Sequence, residues 1–351
     1  MINLLTIDWI LLLEKLILVA IIVSISLVVA MYETYAERKI AAFMQDRIGP
    51  NRAGPFGILQ PLADGGKLFF KEEIIPSHSN KILFILGPSL AMLTAMMTCA
   101  VVPWGADITL FGKTIALQIA DVNIGILYVF AVVSLGVYGI MIGGWSSNNK
   151  FSLLAALRGA SQVISYELAM GIALISLLMV TGSLSLKTIV EQQIQSHWWY
   201  FFKQPLAFLI FFICALAECN RTPFDLPEAE SELNMGYHQE YSSMKLGFYL
   251  FAEYVNMFIS SAIMATLFFG GYDIPFFDET AHTDWGNWLA IAGIVCFMIK
   301  IAFFIFLFMW IRWTVPRFRY DQLMNLGWKK LIPLALANML ITGAVLLWIN
   351  K

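Results

Sequence analysis

Long apolar runs recur along the chain and constrain its fold more than any other feature. A helix needs about 20 consecutive, mainly apolar residues to cross the roughly 30 Å hydrocarbon core of a bilayer. With 59% hydrophobic residues, the chain is predicted to be an all-α polytopic membrane protein, one membrane domain over 1–351 with about eight transmembrane helices. The predicted spans are Ile10–Tyr32, Ile82–Pro103, Ile124–Ile142, Ser161–Gly182, Phe202–Ala217, Leu246–Gly271, Trp288–Ile311 and Leu331–Ile349.

The loops between these spans differ in their basic residues. Loops one, three, five and seven carry most of the lysines and arginines, whereas loops two, four and six carry only Lys113, Lys187 and Lys203. By the positive-inside rule, the odd-numbered loops are predicted on the cytoplasmic side and both termini on the outer side. Loop six is expected to contain a solvated acidic turn, formed by Asp273, Asp278, Glu279 and Asp284.

The sequence contains none of the usual motifs for a bound redox cofactor or metal. Its cysteines have no C-x-x-C spacing, and its histidines all fall in predicted loops, so paired haem ligands inside the membrane are not expected. Gly-rich phosphate loops and dinucleotide fingerprints are also missing. We therefore expect no metal and no cofactor bound by this chain itself. The residues concerned are Cys99, Cys214, Cys219, Cys296, His78, His197, His238 and His282.

The segment between the fifth and sixth spans is unusually acidic for a chain in which only 13% of residues are charged. Five carboxylates fall within fifteen residues there, and Arg221 is the only cation among them. An ionisable residue beside lipid is costly unless it is paired or neutralised, and it indicates a function by default. The candidate loop, 218–245, has its carboxylates at Glu218, Asp225, Glu228, Glu230 and Glu232.

Three ionisable residues interrupt the apolar spans themselves. Glu167 lies in the fourth span, Glu253 in the sixth and Lys300 in the seventh. A single carboxylate inside a membrane protein often serves only a hydrogen bond between helices. Glu167, Glu218 and Glu253 are predicted at a similar depth, however, and carboxylates crowded together cannot all ionise. This pattern favours a hydrated polar path suited to proton transfer.

The first loop, 33–81, combines a rigid turn with an amphipathic segment. Gly and Pro in Gly49–Pro55 favour a turn, and the following stretch, 56–72, has helical periodicity. One face of that helix carries Asp64 and Lys67, and the other carries Leu62 and further apolar residues. The helix is too short and too charged to cross a bilayer, so it is predicted to lie on the membrane surface. It is either a simple anchor or one wall of an opening for a lipid-soluble molecule.

Several long stretches resemble one known family. The chain is similar, end to end, to the H subunit of bacterial NADH:quinone oxidoreductase, the counterpart of subunit one of mitochondrial complex I. Departures are small: Cys219 stands where the family commonly has Thr, and Asn234 and Met235 replace smaller residues. The stretches that carry the resemblance are Glu37–Lys39, Gln45–Arg52, Gly57–Lys67, Asn220–Leu233, Gly236–Ser243, Phe251–Tyr254, Val315–Met324 and Gly327–Lys329.

The resemblance implies an eight-helix subunit at the junction between the membrane arm and the peripheral arm of a proton-pumping complex in the bacterial inner membrane. Its cytoplasmic loops and amphipathic helix would help to form a quinone chamber that opens to the lipid. Its intramembrane carboxylates would begin a hydrophilic axis linking quinone reduction to proton pumping. Quinone would be the substrate, membrane lipids and other complex I subunits the partners, and FMN and the iron–sulfur clusters would belong to those other subunits.

The resemblance also implies roles for single residues. The arginines and Phe224 have simpler explanations, namely loop anchoring or topology for the former and packing for the latter. Residues implied to line or support the quinone chamber and its entrance are Arg38, Arg47, Asp64, Phe224 and Arg312. Residues implied in proton transfer and coupling are Glu167, Glu218, Asp225, Glu228, Glu230, Glu232, Glu240 and Glu253, with Lys300 and Arg317 as their cationic partners.

Three other functions remain open from the sequence. A homologous membrane anchor of a membrane-bound hydrogenase or formate hydrogenlyase would share the character of the first and fifth loops. An ion antiporter would also need intramembrane Glu and Lys, although the chain shows neither an inverted repeat nor paired broken helices. A passive scaffold would make the carboxylates dispensable. Co-purifying subunits would distinguish the first of these from a quinone enzyme.

Overall fold

The structure, a computed structural model, describes residues 9–110, 113–275, 277 and 286–349. Within these ranges, seven helical segments are long and apolar enough to cross a membrane, which confirms the predicted all-α polytopic class. The helices are α1 (Trp9–Met44), α2 (Gln60–Phe70), α3 (Lys81–Thr98), α4 (Gly125–Ser146), α5 (Lys150–Thr181), α6 (Leu186–Ser196), α7 (Tyr200–Lys203), α8 (Pro205–Glu218), α9 (Glu230–Leu233), α10 (Ser243–Phe268), α11 (Asn287–Thr314), α12 (Tyr320–Asn325) and α13 (Ile332–Ile349).

Two predicted spans differ from the observed helices in length. The predicted fifth span is divided into α7 and α8 at Gln204, where the backbone is not helical and Pro205 begins the next helix. Helix α8 has 14 residues, about 21 Å at 1.5 Å per residue, so it is shorter than a bilayer core. The last span is longer than predicted, because α12 continues through a π-helical turn, Leu326–Leu331, into α13.

The first loop begins later than the sequence predicts. Helix α1 continues past Tyr32 to Met44. Ala30, Glu33, Glu37 and Ala41 lie at helical spacing on one face of the helix, and this face is buried against the bundle. The amphipathic helix α2 is shorter than the predicted 56–72. Phe56 and Gly57 have positive φ, so the helix begins only at Gln60 and ends where Lys71 becomes extended.

Helix α10 lies at the centre of the bundle. It packs against α1, α3 and α11 along its length and also contacts α2, α6 and α8. Within an apolar 18-residue stretch of α10, 72% of the residues are buried, compared with 17% for such stretches of the first and last spans. Because α1 and α13 expose large apolar side chains such as Leu16 and Leu347, they form outer faces suited to lipid or to other membrane subunits.

Close packing of α3, α4 and α10 depends on glycine. A Cβ atom at Gly143 of α4 would overlap the hydroxyl oxygen of Tyr249 on α10, and a Cβ at Gly87 of α3 would lie 2.5 Å from the same oxygen. Tyr249 can therefore place its hydroxyl group between α3 and α4, where it donates to the carbonyl of Gly139 at 3.1 Å. Glycine on both neighbouring helices thus makes room for a buried polar group.

The loop segments at the end of the bundle opposite the acidic loop are short and locally structured. Ile108–Leu110 and Lys113–Ile115 form an antiparallel hairpin with Ile108 opposite Ile115. The predicted solvated turn of loop six is wrong for Asp273, which is buried and accepts a hydrogen bond from Trp199 Nε1 at 2.8 Å. Asp278, Glu279 and Asp284 lie outside the described residues.

Candidate functional site

A group of buried and partly buried ionisable side chains gathers where the acidic loop meets α1, α10 and α11. We call this group the carboxylate cluster. It consists of five carboxylates and three arginines. Its members come from four separate parts of the chain, so only the tertiary fold brings them together. They are Glu33, Glu37, Arg221, Asp225, Glu228, Glu253, Arg312 and Arg317.

Arg221 is the central cation of the carboxylate cluster and is only 4% exposed. Its Nη2 atom lies 3.4 Å from Glu253 Oε2, and its guanidinium carbon lies 4.2 Å from the centre of the Tyr254 ring. Burial alone would lower the pKa of Arg221, but Tyr254 and the carboxylates of Glu253, Glu37 and Glu228 raise it well above its usual value. The guanidinium therefore stays charged, although Nε and Nη2 donate no hydrogen bond within the described structure.

Glu253 lies on α10 between Arg221 and the loop segment that precedes this helix. Tyr237 donates a hydrogen bond to Glu253 Oε1 at 3.2 Å. Burial, followed by the nearby charges of Glu253 and Glu228, raises the pKa of Tyr237, so this hydroxyl keeps its proton and remains a donor. His238 Nδ1 lies 4.0 Å from Glu228 Oε1. The second Glu253 oxygen accepts no hydrogen bond from the described residues.

Glu37 extends the carboxylate cluster to α1 and α11. Arg312 Nη1 lies 2.6 Å from one Glu37 oxygen, and the Tyr254 hydroxyl donates to the other at 2.9 Å. Glu37 falls within the stretch Glu37–Lys39 that carries the family resemblance, but no role was predicted for it from the sequence. Arg312, predicted to support the quinone chamber, therefore contacts an α1 carboxylate directly.

Glu33, one helical turn before Glu37, is a second α1 carboxylate that sequence reasoning missed. It is 4% exposed, and neither of its carboxylate oxygens accepts a hydrogen bond within the described structure. Arg221 and Glu37 are the charged groups that act on it. A signal was present in the sequence, because Ala30, Glu33, Glu37 and Ala41 are spaced at helical intervals on one face.

Asp225 connects the loop to the segment after α11. Arg317 Nη2 lies 2.7 Å from Asp225 Oδ2, and the carboxyl group is largely buried. Burial, followed by the charge of Glu228, raises the pKa of Asp225 to about 7, even though Arg317, Arg312 and Arg221 favour its ionised form. The loss of water and the neighbouring carboxylate together raise the pKa of Asp225 more than the three arginines lower it. Asp225 can thus exchange a proton near neutral pH.

Gln162 of α5 holds the start of the acidic loop in place. Its amide nitrogen donates to the carbonyls of Ala217 and Phe224, each at 2.7 Å, and lies 3.3 Å from Asn220 Oδ1. Phe224 packs its ring against Tyr166 and Phe318. Phe224 is thus a buried packing residue that anchors the loop between α5 and the segment after α11.

A polar cavity joins the carboxylate cluster to the interior of the bundle. The cavity has a volume of about 50 Å³, and Glu253, Glu218, Asn220, Asn256 and Tyr249 contribute its polar lining. One water molecule needs about 10–15 Å³ by this measure and two to four polar partners, so the cavity can hold water. A second cavity, of about 30 Å³, continues from Glu218 and Asn256 towards apolar residues.

Glu167 lies next along this line, on α5. Ser134 of α4 donates a hydrogen bond to its carboxylate. Glu167 and Glu218 line a common gap between α4, α5 and α8, which is too narrow for water. The structure therefore brings together Glu253, Glu218 and Glu167, three of the residues predicted for a proton path.

The remaining predicted residues lie at the surface of the same end of the bundle. Arg38 on α1 and Asp64 on α2 form a partly exposed ion pair with 2.6 Å between Nη1 and Oδ2. Arg47 is exposed and donates to Gln45 of its own turn. The others form peripheral pairs: Arg158 with Glu232 at 2.7 Å and Asn149 with Glu240 at 2.9 Å. The side chain of Glu230 lies outside the described part of the structure.

Lys300, predicted as a cationic partner of the proton path, lies at the opposite end of α10. Its ammonium group donates to the carbonyls of Phe269, Gly271 and Asp273 at 2.7, 2.9 and 2.6 Å. It also lies 5.0 Å from the centre of the Trp199 ring. The positive charge of Lys300 thus caps the C-terminal end of α10, where the helix dipole is negative.

Chemically, this arrangement can accept, hold and pass protons. The carboxylate cluster has more acids than cations, and several of its buried polar atoms have no hydrogen-bond partner among the described residues. Such a group responds to a change of charge nearby by moving a proton or a side chain. Among the residues that the structure describes, no three His, Cys, Asp or Glu side chains are grouped as metal ligands would be.

Comparison with known proteins finds similarity along the same length. The model of a family described as NADH dehydrogenase matches residues 16–343. The first H subunit of the NADH-quinone oxidoreductase of Cytophaga hutchinsonii is 66% identical over 336 residues, which cover 96% of this chain and 97% of that protein. The H subunit of the Flavobacterium johnsoniae enzyme is 60% identical over 334 residues, 95% of each chain. The first H subunit of the Geobacter sulfurreducens enzyme is 52% identical over 325 residues, 90% of this chain and 89% of that protein.

Proposed function

This chain belongs to the NADH dehydrogenase family, among the H subunits of NADH-quinone oxidoreductase, and from that membership we propose that it couples quinone reduction to proton translocation. In this proposal it forms one wall of the quinone chamber and contains the first part of the proton path. The chain is a multi-pass membrane subunit of that enzyme class.

The carboxylate cluster is the main structural support for the proposed coupling role. Five acids share three arginines in a buried site, and Glu33, Arg221 and Glu253 all have side-chain atoms without a hydrogen-bond partner in the described structure. An unmade hydrogen bond on a buried group costs about 1–3 kcal/mol, so a site with purely structural purpose would be expected to satisfy these atoms. In a site whose charge changes during turnover, some donors and acceptors are expected to lack a partner in any one protonation state, because they bind a partner only in another.

The position of α2 supports an entrance for a lipid-soluble substrate. This helix packs against α1 and α10, and Ser243 donates to its Leu68 carbonyl at 3.1 Å. Leu62 and Phe69 remain 53% and 68% exposed, which fits a helix at the membrane surface. In our proposal, quinone enters beside α2 and passes the Arg38–Asp64 ion pair on its way to the chamber.

The proposed mechanism starts from the protons that a quinone takes up when it is reduced. A quinone that is reduced to a quinol takes up protons with its electrons, so its surroundings lose positive charge during each turnover. We infer that Asp225 and Glu228 respond first, because they lie in the loop and Asp225 exchanges a proton near neutral pH. The change then reaches Glu253 through Arg221, the polar cavity passes it to Glu218, and Glu167 receives it across the narrow gap that it lines with Glu218. Such coupling requires the loop to have two arrangements of similar free energy.

The proposal also includes the orientation of the chain in the membrane and its partners. The distribution of Lys and Arg favours a cytoplasmic carboxylate cluster, with both termini on the periplasmic side of a bacterial inner membrane. Quinone, lipids and other subunits of the complex would be the partners. FMN and the iron–sulfur clusters would be bound by those subunits, and the carboxylate cluster would face the chamber that they share with this chain.

Two substitutions in the assembled complex test the two halves of the proposal. Glu253→Gln keeps the shape of the side chain but removes its charge, and we expect proton translocation per quinone reduced to fall by about half or more. Asp64→Asn breaks the entrance ion pair, and we expect the apparent KM for quinone to rise about threefold with an unchanged proton ratio. Both are measured on purified complex in vesicles, as quinone reduction rate and proton uptake.

These two variants control for each other. If Glu253→Gln leaves both the rate and the proton ratio unchanged, the coupling role is wrong. If Asp64→Asn lowers only the amount of assembled complex and leaves KM unchanged, α2 is an anchor and not part of an entrance.

A further inference from the structure

Buried hydroxyl groups form a line between two cavities near the carboxylate cluster. We call this line the hydroxyl chain. It starts at the surface beside the end of α4, crosses between α3, α4 and α10, and ends at Glu253. The residues of the hydroxyl chain are Ser147, Ser146, Tyr241, Tyr249 and Tyr237. None of them was a candidate from the sequence.

The outer end of the hydroxyl chain opens into a surface cavity. This cavity has a volume of about 500 Å³, and Ser147, His78, Lys150 and Glu240 line it. It is broad enough to hold bulk-like water. Ser147 itself is only 3% exposed, so it is the first buried hydroxyl behind a hydrated entrance.

Tyr241 continues the line from Ser147 towards the interior. Its hydroxyl group lies 3.3 Å from Ser146 Oγ and donates to the Gly143 carbonyl, which also accepts from Ser147 Oγ at 2.7 Å. The Tyr241 ring is stacked on Phe84, with 4.0 Å between the ring centres and 7° between the planes. That stack fixes the orientation of the ring, and therefore the position of the hydroxyl oxygen between α3 and α4.

Tyr241 and Tyr249 bring their hydroxyl groups close together beside α4. Their rings meet edge to face with 5.1 Å between centres, and their hydroxyl groups donate to carbonyls one turn apart on α4, those of Gly143 and Gly139. Both hydroxyl oxygens lie against Gly143, where a Cβ atom would overlap Tyr249 Oη and come within 3.3 Å of Tyr241 Oη. The absence of a side chain at Gly143 therefore creates the space in which the two hydroxyls meet.

The inner end of the hydroxyl chain reaches Glu253. Tyr249, Tyr237 and Glu253 line the same internal cavity of about 50 Å³. Tyr237 donates directly to the Glu253 carboxylate at 3.2 Å, and the cavity has room for water between Tyr249 and that carboxylate. Neighbouring buried hydroxyl groups, followed by a cavity large enough for water, thus lead from the surface cavity to Glu253.

We propose that the hydroxyl chain conducts protons between the surface cavity and Glu253, as an entry to the path that is separate from the acidic loop. The inference rests on the proposed function, because it gives Glu253 a source of protons. A hydroxyl group has one proton and two acceptor positions, so it can take a proton on its oxygen while releasing its own to the next acceptor. Each transfer breaks one O–H bond and forms another, and every tyrosine and serine is neutral again afterwards.

The chemistry of these side chains favours this role over simple packing. Phenylalanine would fill the same volume, and the carbonyls that the hydroxyls contact belong to α4, whose backbone carbonyls already accept bonds within the helix. The hydroxyls of Tyr241 and Tyr249 contact the carbonyls of Gly143 and Gly139 at 3.3 and 3.1 Å, and each of these hydroxyl oxygens still has acceptor positions for a neighbour. A continuous line of polar groups through an apolar helix interface is costly unless it is used.

Tyr241→Phe and Tyr249→Phe test the inference, because each removes one hydroxyl and keeps the ring. We expect proton uptake coupled to quinone reduction, followed with a pH-sensitive dye in vesicles of purified complex, to slow at least about tenfold in each variant. Tyr128→Phe on α4 is the matched control. It also removes a hydroxyl that donates to a backbone carbonyl, that of Met97 at 3.2 Å, but it lies away from the hydroxyl chain and should leave proton uptake unchanged.

The results separate this inference from the proposed function. Slow proton uptake in both tyrosine variants, with normal amounts of assembled complex, supports the hydroxyl chain. Unchanged uptake in both, together with a loss in Glu253→Gln, overturns the hydroxyl chain and leaves the coupling role of Glu253 in place. If Glu253→Gln is also unchanged, both proposals are wrong.

Discussion

The two ends of helix α10 hold buried charges in opposite ways. At one end Lys300 has three N–H donors, and three backbone carbonyls lie within 2.6–2.9 Å of its nitrogen. At the other end Arg221 lies among carboxylates, with Nε and Nη2 donating no hydrogen bond within the described structure. Both residues are cations in an apolar bundle, but the sequence implied a role in the proton path only for Lys300 and marked Arg221 only as the single cation of the acidic segment. Of the two, it is Arg221 whose side chain has N–H groups without an acceptor among the described residues.

This contrast suggests how to separate structural from functional charges inside a membrane protein. A charge whose donors all meet acceptors lowers the free energy of a single arrangement and makes that arrangement rigid. A charge shared among several incompletely bonded partners has alternative arrangements of similar free energy. We therefore propose that Lys300 stabilises α10 and that the carboxylate cluster is the responsive element.

The largest expected effect comes from removing Arg221. Arg221→Gln would leave Glu253 and Glu37 with one fewer cation in a buried site, and breaking a buried pair in this way costs about 3–5 kcal/mol. We expect a severe loss of assembled complex in membranes, measured by immunoblotting and by quinone reductase activity. Arg158→Gln is the control, since its ion pair with Glu232 is partly exposed and worth at most about 1 kcal/mol. Equal loss in the two variants would contradict a special position for Arg221.

Replacing Lys300 should have an intermediate effect, confined to stability. Lys300→Met leaves the carbonyls of Phe269, Gly271 and Asp273 without their charged donor, which we expect to cost about 2 kcal/mol. Thermal unfolding of the purified complex would show this as a lower Tm. Protons translocated per quinone reduced should stay at the wild-type value in the complex that remains. A reduced proton ratio with an unchanged Tm would return Lys300 to the proton path and remove the contrast between the two ends of α10.

The smallest effect on stability is expected for Glu33. Its oxygens accept no hydrogen bond within the described structure, so Glu33→Gln should change the free energy of unfolding by less than about 1 kcal/mol. The proton ratio should nevertheless fall, because Glu33 is one of the acids that share Arg221. Stability and the proton ratio are measured on the same purified preparation. A clear drop in stability with a normal proton ratio would make Glu33 a structural residue, like Lys300.

How far the site could be predicted depended on where each residue lies in the chain. Glu218, Asp225 and Glu228 were visible because they are crowded in one short loop. Glu33 and Glu37 were missed because α1 was expected to end at Tyr32, which placed them in a solvated loop. Helix α1 in fact continues to Met44 and buries both.

Contacts between distant segments were beyond sequence reasoning. Gln162 holds the acidic loop across a separation of 55 to 62 residues, and Arg312 meets Glu37 from the other end of the chain. Asp273 was expected in water, yet the fold buries it beside Trp199. In each case helix packing determines which residue is the partner, and the local sequence around either residue does not indicate it.

The amino-acid sequence was enough to establish the fold class, the approximate position of most spans, the acidic loop and the family. These properties follow from hydrophobicity, charge and local motifs, which are physical features of neighbouring residues. Helix packing was needed to establish which charges share a site. It joined Glu33 and Glu37 to Arg221, moved Lys300 to the far end of α10, and aligned three tyrosines between two cavities. The cost of a buried charge or hydroxyl is set by the atoms within a few ångströms of it, and these come from helices far apart in the chain.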